Sequence, residues 1–164
     1  TGLSVRVSTN VRLEAAKALA LSTPTDVLTM LQNLSFTFGT GNSNVNQAWH
    51  GSIVVGATST SSVDLSGSLT NAFGGTVSFA KVQVLLIKNT HATSPLLVGG
   101  AAANAWVGPF GDAADVIAVP PSGCLLLAGV NGWTVTAGTA DILQFENEGG
   151  TALTLEMAIW GISA

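Results

Sequence analysis

Thr151-Ala152-Leu153-Thr154-Leu155-Glu156-Met157-Ala158-Ile159-Trp160 is the stretch that decides the fold. Leu153, Leu155, Met157 and Ile159 fall on one side of an extended chain, with Thr154 and Glu156 on the other. That is the period of two that a half-buried strand requires. Asp141-Ile142-Leu143-Gln144-Phe145-Glu146-Asn147 repeats the pattern upstream, setting Leu143 and Phe145 against Gln144 and Glu146. The connection Glu146-Asn147-Glu148-Gly149-Gly150 is short and contains Gly, like many hairpin loops, so the sequence predicts a C-terminal β-hairpin.

Working outward, the chain from Ala48 reads as short strands separated by Gly, Pro and Asn. The predicted strands are Trp49–Val55, Ser61–Leu65, Val77–Lys88, Pro95–Val98, Val116–Val119, Cys124–Leu127, Trp133–Thr136, Asp141–Asn147 and Leu153–Ile162. Their spacing is that of a sandwich or barrel, and no long helices alternate with them as a parallel α/β fold would need. No internal repeat is visible, which disfavours a propeller or solenoid. The expected class is all-β: an antiparallel β-sandwich, jelly-roll-like, with an N-terminal arm and one short helix.

Residues 1–45 form the arm and the short helix, and residues 46–164 the β-sandwich domain. Leu3-Ser4-Val5-Arg6-Val7 alternates like a strand. Val11 to Leu21 is ambiguous: its Ala, Leu, Glu and Lys favour helix, yet Val11, Leu13, Leu19 and Leu21 also fit a period of two. Ser22-Thr23-Pro24-Thr25-Asp26 has the capping hydroxyl and early proline of a helix start. Val27, Leu28, Leu31 and Leu34 follow at helical spacing, so a short helix is predicted over 24–33. Leu34–Phe38 reads as a strand, stopped by Gly39-Thr40-Gly41-Asn42, with a loop running on to Gln47.

Only 9% of the 164 residues are charged, against about 25% in an average soluble domain. Hydrophobic residues make up 47%. This excludes the high-charge, low-hydrophobicity regime of intrinsic disorder. The apolar runs are too short and too often broken for a membrane helix, and Arg6, Arg12 and Glu14 interrupt any N-terminal signal pattern. The net charge is −4 and the basic residues are scattered, so neither nucleic acid nor membrane is an expected partner. Scarce charge with abundant Ser, Thr and Asn suits a surface that packs against other protein copies.

Groups able to do chemistry are few. Cys124, the sole cysteine, heads an apolar run and reads as a buried structural thiol. His50 follows Trp49 at a strand start, and His91 lies in the polar loop Asn89-Thr90-His91-Ala92-Thr93-Ser94. Neither accompanies a nucleophile elbow, and both read as surface histidines. Asp112 with Asp115, and Glu146 with Glu148, are carboxylate pairs in loops that read as solvated; a calcium site needs about six to eight oxygens. The glycine pairs Gly74-Gly75, Gly99-Gly100 and Gly149-Gly150 open no helix and are turns. Trp49, Trp106, Trp133 and Trp160 could build a sugar platform, but Trp133 reads as core or interface. No catalytic residue, cofactor or metal is expected.

One longer pattern runs through Val82-Gln83-Val84-Leu85-Leu86-Ile87-Lys88-Asn89-Thr90, Leu96-Leu97-Val98-Gly99-Gly100, Asn104-Ala105-Trp106, Pro109-Phe110 and Val119-Pro120-Pro121-Ser122-Gly123. It continues through Gly132-Trp133-Thr134-Val135-Thr136-Ala137-Gly138-Thr139-Ala140-Asp141-Ile142-Leu143 and Asn147-Glu148-Gly149-Gly150-Thr151. Over residues 48–164 this order resembles the small β-sandwich virion proteins of tailed bacteriophages that decorate or cement capsids. The resemblance implies a jelly-roll-like sandwich, self-association as a homodimer or homotrimer, and docking on the major capsid protein. It also implies a place on the capsid surface of the virion, after synthesis in the bacterial host cytoplasm. Under it, Leu3, Val5, Val7, Val11 and Leu13 are a candidate inter-subunit arm that adds a strand to a neighbour's sheet edge; otherwise Leu3–Val7 is an edge strand of its own sandwich. Similar sandwiches occur in phage fibres and spikes, so a receptor-binding domain for host surface glycans is the alternative. A sandwich-fold glycosidase or lyase comes third.

Overall fold

The computed structural model describes residues 2–67 and 69–163, and these form thirteen strands and no helix. In chain order they are β1 (Val5–Ala16), β2 (Thr25–Phe38), β3 (Asn44–Val45), β4 (Gln47–Val55), β5 (Ser59–Asp64), β6 (Leu69–Thr70) and β7 (Thr76–Val77). There follow β8 (Lys81–Asn89), β9 (Leu96–Gly99), β10 (Val116–Val119), β11 (Cys124–Thr134), β12 (Ile142–Asn147) and β13 (Leu153–Ile162). Two four-stranded sheets make a sandwich-like body, with orders β11-β8-β13-β4 and β10-β9-β12-β5 and every neighbouring pair antiparallel.

Alternation along the strands creates the core. Leu153, Leu155, Met157 and Ile159 of β13 turn inward beside Leu85 and Ile87 of β8, and meet Leu143 and Phe145 of β12 and Leu96 and Val98 of β9. Each such side chain contributes about 1.5–3 kcal/mol when taken fully out of water. Trp106 closes the core, 2% exposed, with its indole N–H donating to the Thr134 carbonyl at 2.8 Å. The pairing of β13 with β8 shifts register between Trp160 and Gly161, where the backbone comes so close to the Lys81 carbonyl and the Phe79 ring that a Cβ would collide with them.

Several expectations need correction. The predicted helix over 24–33 is the first part of β2, which pairs with β1 from Val5↔Phe36 to Ala16↔Thr25. A helix of that length is marginal in water unless an apolar stripe finds a core, and this segment has no body to lie against. A strand instead gains a full ladder of backbone bonds from β1. Leu3–Val7 is accordingly no edge strand of the sandwich. The C-terminal hairpin also fails: β12 pairs with β5 and β9, whereas β13 pairs with β4 and β8, so the connection crosses between sheets. Val77–Lys88 splits into β7 and β8. Cys124–Leu127 and Trp133–Thr136 largely merge in β11, whose pairing with β8 slips between Ala128 and Trp133. Cys124 is exposed, not buried, because it faces outward opposite Lys88 on an edge strand.

Four connections cross between the sheets at one end of the body: β4 to β5, β8 to β9, β10 to β11 and β12 to β13. Two fully buried asparagines hold them. Asn147 Nδ2 donates to the carbonyls of Val55 (3.3 Å), Gly56 (2.9 Å) and Thr151 (2.8 Å), while its Oδ1 accepts from Gly149 N. Asn89 does the same one corner away. Its Nδ2 donates to Ser94, Val119 and Pro120, and its Oδ1 accepts from His91 N. Each amide therefore satisfies carbonyls on its own corner and on a neighbouring one. Removing it strands buried acceptors at about 1–3 kcal/mol each. Asn147→Ala and Asn89→Ala should each lower the unfolding free energy by about 3 kcal/mol in urea titrations. Asn147→Asp, which keeps the shape but loses the donor, should be as damaging, and exposed Ser59→Ala should stay within about 0.5 kcal/mol. Losses below about 1 kcal/mol for both asparagines would contradict this reading.

Candidate functional site

The ribbon formed by β1 and β2 is two-faced by register. Directly opposed residues of an antiparallel pair share a face. Val5/Phe36, Val7/Leu34, Thr9/Gln32, Val11/Met30 and Leu13/Leu28 therefore line one side, and Arg6/Ser35, Ser8/Asn33, Asn10/Leu31, Arg12/Thr29 and Glu14/Val27 the other. From Val5 to Leu13 and from Leu28 to Phe36, the first face carries no charge.

The base of this face is docked on the body. Phe36, with Val5, Val7, Leu34 and Leu3, packs on Val84, Leu126, Ala128 and Trp160, the outer side of the β11-β8-β13-β4 sheet. Short β3, parallel to β2, anchors the junction. Asn44 Nδ2 donates to Thr37 Oγ1 at 2.9 Å, and Asn46 exchanges two bonds with Ser163.

The distal part is bare. Every residue from Asn10 to Asn33 is exposed. On the apolar face, Val11 is 65%, Met30 64%, Leu13 52% and Leu28 51% exposed, and Leu19 and Leu21 add to this at the tip. Val27 and Leu31 are exposed on the other face, beside an exposed ion pair between Arg12 and Glu14 at 2.9 Å. Extended chain advances about 3.4 Å per residue, so the bare part of β1 reaches roughly 20 Å past the docked base. Large exposed apolar patches occur at interaction surfaces or as aggregation liabilities, which makes this cluster the candidate site.

The five arm residues thus divide. Leu3, Val5 and Val7 belong to the docked base, and Val11 and Leu13 to the bare reach. Their cross-strand partners Leu28 and Met30 were missed because 24–33 read as helix. The signal was the alternation in Thr25, Val27 and Thr29, flanked by a second alternating segment beyond Ser22-Thr23-Pro24.

The groups considered for chemistry do not converge. His91 accepts Ser94 N at Nδ1 (2.9 Å) and meets Thr151 Oγ1 through Nε2 (3.2 Å), so both ring nitrogens are engaged within the corner loops. Asp112 and Asp115 are exposed and hydrogen-bond the backbone of their own turn. Buried Asp141 accepts from Ser66 Oγ and Gly138 N. Glu148 is exposed and Glu146 half-buried on β12. No group of three or more His, Cys, Asp or Glu that could hold a metal occurs among the described residues. Open hollows lie on both the ribbon and the body, and two of those on the body concern these groups. One of about 310 Å³ lies on the outer sheet face around His50, Gly51, Leu86 and Ala158, bordered by the Lys88–Glu156 pair at 3.1 Å. The other, about 260 Å³, brings together Gln47, Trp49, His50, Asn71 and Phe73, the last 98% exposed.

No protein-family model matches this sequence, and the search of curated proteins finds no match either.

The docked and bare halves of one ribbon face should respond differently to truncation. Phe36→Ala removes about 3–5 kcal/mol of packing at the base. It should raise amide exchange across β1 and β2 by at least about a hundredfold, with β8 and β13 still protected. In the dilute chain, Val11→Ala should leave those rates within a few-fold. Equal effects of the two substitutions would show that the distal face is already covered.

Proposed function

We propose that this chain is a non-enzymatic virion structural protein, a capsid decoration or cement protein that self-associates and bridges subunits of the major capsid protein on the head surface. The observation that carries this reading is the projecting ribbon: a reach with one apolar face, charge-free from Val5/Phe36 to Leu13/Leu28, held by its base on a sandwich body. Such an element has no use in a lone chain and exposes it to aggregation, but it is suited to gripping neighbours. A body poor in charge loses little in desolvation when packed among other chains. Support for a jelly-roll body comes from the strand order. Eight main strands, β4, β5 and β8 to β13, alternate between the sheets in the pairing that two interleaved Greek keys produce, with four crossings at one end. The mechanism is mechanical. Individually weak contacts, repeated over a shell, sum by multivalency into resistance to internal pressure.

A second reading, a fibre or spike domain recognising host surface glycans, is favoured by one feature. The hollow at Gln47, Trp49, His50, Asn71 and Phe73 sets an exposed aromatic face among amides, the pairing of apolar platform and polar groups that a sugar ring needs.

One assay separates the two. The intact chain is compared with a variant in which residues 10–31 are replaced by Asn-Gly, a turn that closes the shortened hairpin between Thr9 and Gln32. Both are presented to empty heads and to a glycan array. The decoration reading expects saturable binding to heads, changed less than about threefold between about 0.1 and 1 M salt because apolar contacts dominate. It also expects at least a tenfold loss in the shortened variant. Binding to glycans alone, abolished by Phe73→Ala and unaffected by the shortened ribbon, would replace it with the fibre reading.

A further inference from the structure

The structure shows what the base of the ribbon packs on, and it leaves the same face uncovered further out. We propose that this bare face is an interface between copies of this chain, ribbon on ribbon through Val11, Leu13, Leu28 and Met30. The inference rests on the structural role argued above and names the surface that carries the self-association.

Two observations select a second copy as the occupant. The first is continuity. The bare ladder Val11/Met30 and Leu13/Leu28 extends the ladder Val5/Phe36 and Val7/Leu34, which is already shown to bury itself against a flat β surface of this protein. The second is self-complementarity. From Val5/Phe36 to Leu13/Leu28 the face has no charged residue, the first being Asp26 opposite Ala15 on the next rung, so an identical face covers that stretch without burying an ion, and stacked β faces of this kind sit about 10 Å apart. The body's remaining bare outer face is a poorer match, since Leu86 and Ala158 there border the Lys88–Glu156 pair. Area sets how firm the contact is. Four side chains from each of two copies, about half-exposed as they stand, remove on the order of 500 Å² from water. A stable interface needs roughly 1,200–2,000 Å². One ribbon pair is therefore weak. The tip residues Leu19 and Leu21 and the opposite-face Val27 and Leu31 are left for further neighbours. Association is concentration-dependent in solution and becomes firm when a surface holds many copies side by side.

Sedimentation velocity of the full chain over a wide concentration range tests this. Self-association is expected, weakened at least about tenfold by Met30→Lys and within about twofold for Thr29→Lys, the same charge on the opposite face. A chain that stays monomeric at every concentration, or equal weakening by the two substitutions, overturns the proposal. If Met30→Lys fails to fold, a second measurement decides. A spin label on Leu13→Cys, in a Cys124→Ser chain, is mixed with isotope-labelled wild type. Broadening of amides in Val5–Ala16 and Thr25–Phe38 supports ribbon-on-ribbon packing, and broadening confined to the body overturns it. Head binding is absent from both assays. Self-association without head binding removes the decoration reading alone, and head binding by strictly monomeric chains removes this inference alone.

Discussion

Carrying the chain four times from one sheet to the other at a single end is the constraint on which the body depends. Each crossing turns backbone carbonyls into a region with no water, where an unmade hydrogen bond costs more than a made one contributes. Asn147 and Asn89 resolve this with one amide each, joining the β12–β13 corner to the β4–β5 corner and the β8–β9 corner to the β10–β11 corner. Thr90 and His91 then connect the two halves, through the Thr154 carbonyl and the Thr151 hydroxyl. With the corners fixed, the register of β8 and β13 is fixed, and so is the outer face formed by Val84, Leu126, Ala128 and Trp160 on which the ribbon stands.

The ribbon turns that rigidity outward. A two-stranded hairpin alone is at best marginally stable in water. This one is held by Phe36 and its neighbours at the base, while backbone pairing carries order out to Ala16 and Thr25. The apolar ladder beyond the base packs on no part of the body and stays largely exposed in the single chain. In the proposed assembly, the same physics that builds the core, removal of apolar surface from water, acts when a neighbour covers this ladder. Low charge across the whole chain fits this, because each copy can be buried by neighbours with few ions to desolvate.

The β-rich class, and most of the strands, could be read from residues 48–164 because one face of each strand is buried and alternation records it. Leu153–Ile159 and Leu143–Phe145 are the plainest cases. Where alternation is not enforced by burial, the reading failed. In 24–33 both faces are wet, so apolar residues are not confined to one of them: Val27, Leu28 and Leu31 fall at helical spacing, and the Ser-Thr-Pro start weighed towards helix. The C-terminal connection failed for another reason. A short Gly-containing loop serves a hairpin or a crossing equally well, and the deciding contact is Asn147 with Val55 and Gly56, far away in sequence. Half of the ribbon site was legible, as Val11 and Leu13; Leu28 and Met30 became visible only once pairing placed them opposite.

The distal ribbon face is open in the single chain and, in the proposed assembly, covered. The chain's two methionines report on it, since Met30 is 64% exposed on that face and Met157 only 3% exposed in the core. Peroxide converts exposed methionine to sulfoxide much faster than buried methionine, so Met157 is an internal reference. Site-resolved oxidation rates, measured in dilute chain and in assembled particles, should show Met30 reacting fast when dilute and slowing by at least about tenfold on assembly, towards the rate of Met157. Met30 oxidising equally fast in both states would contradict the account.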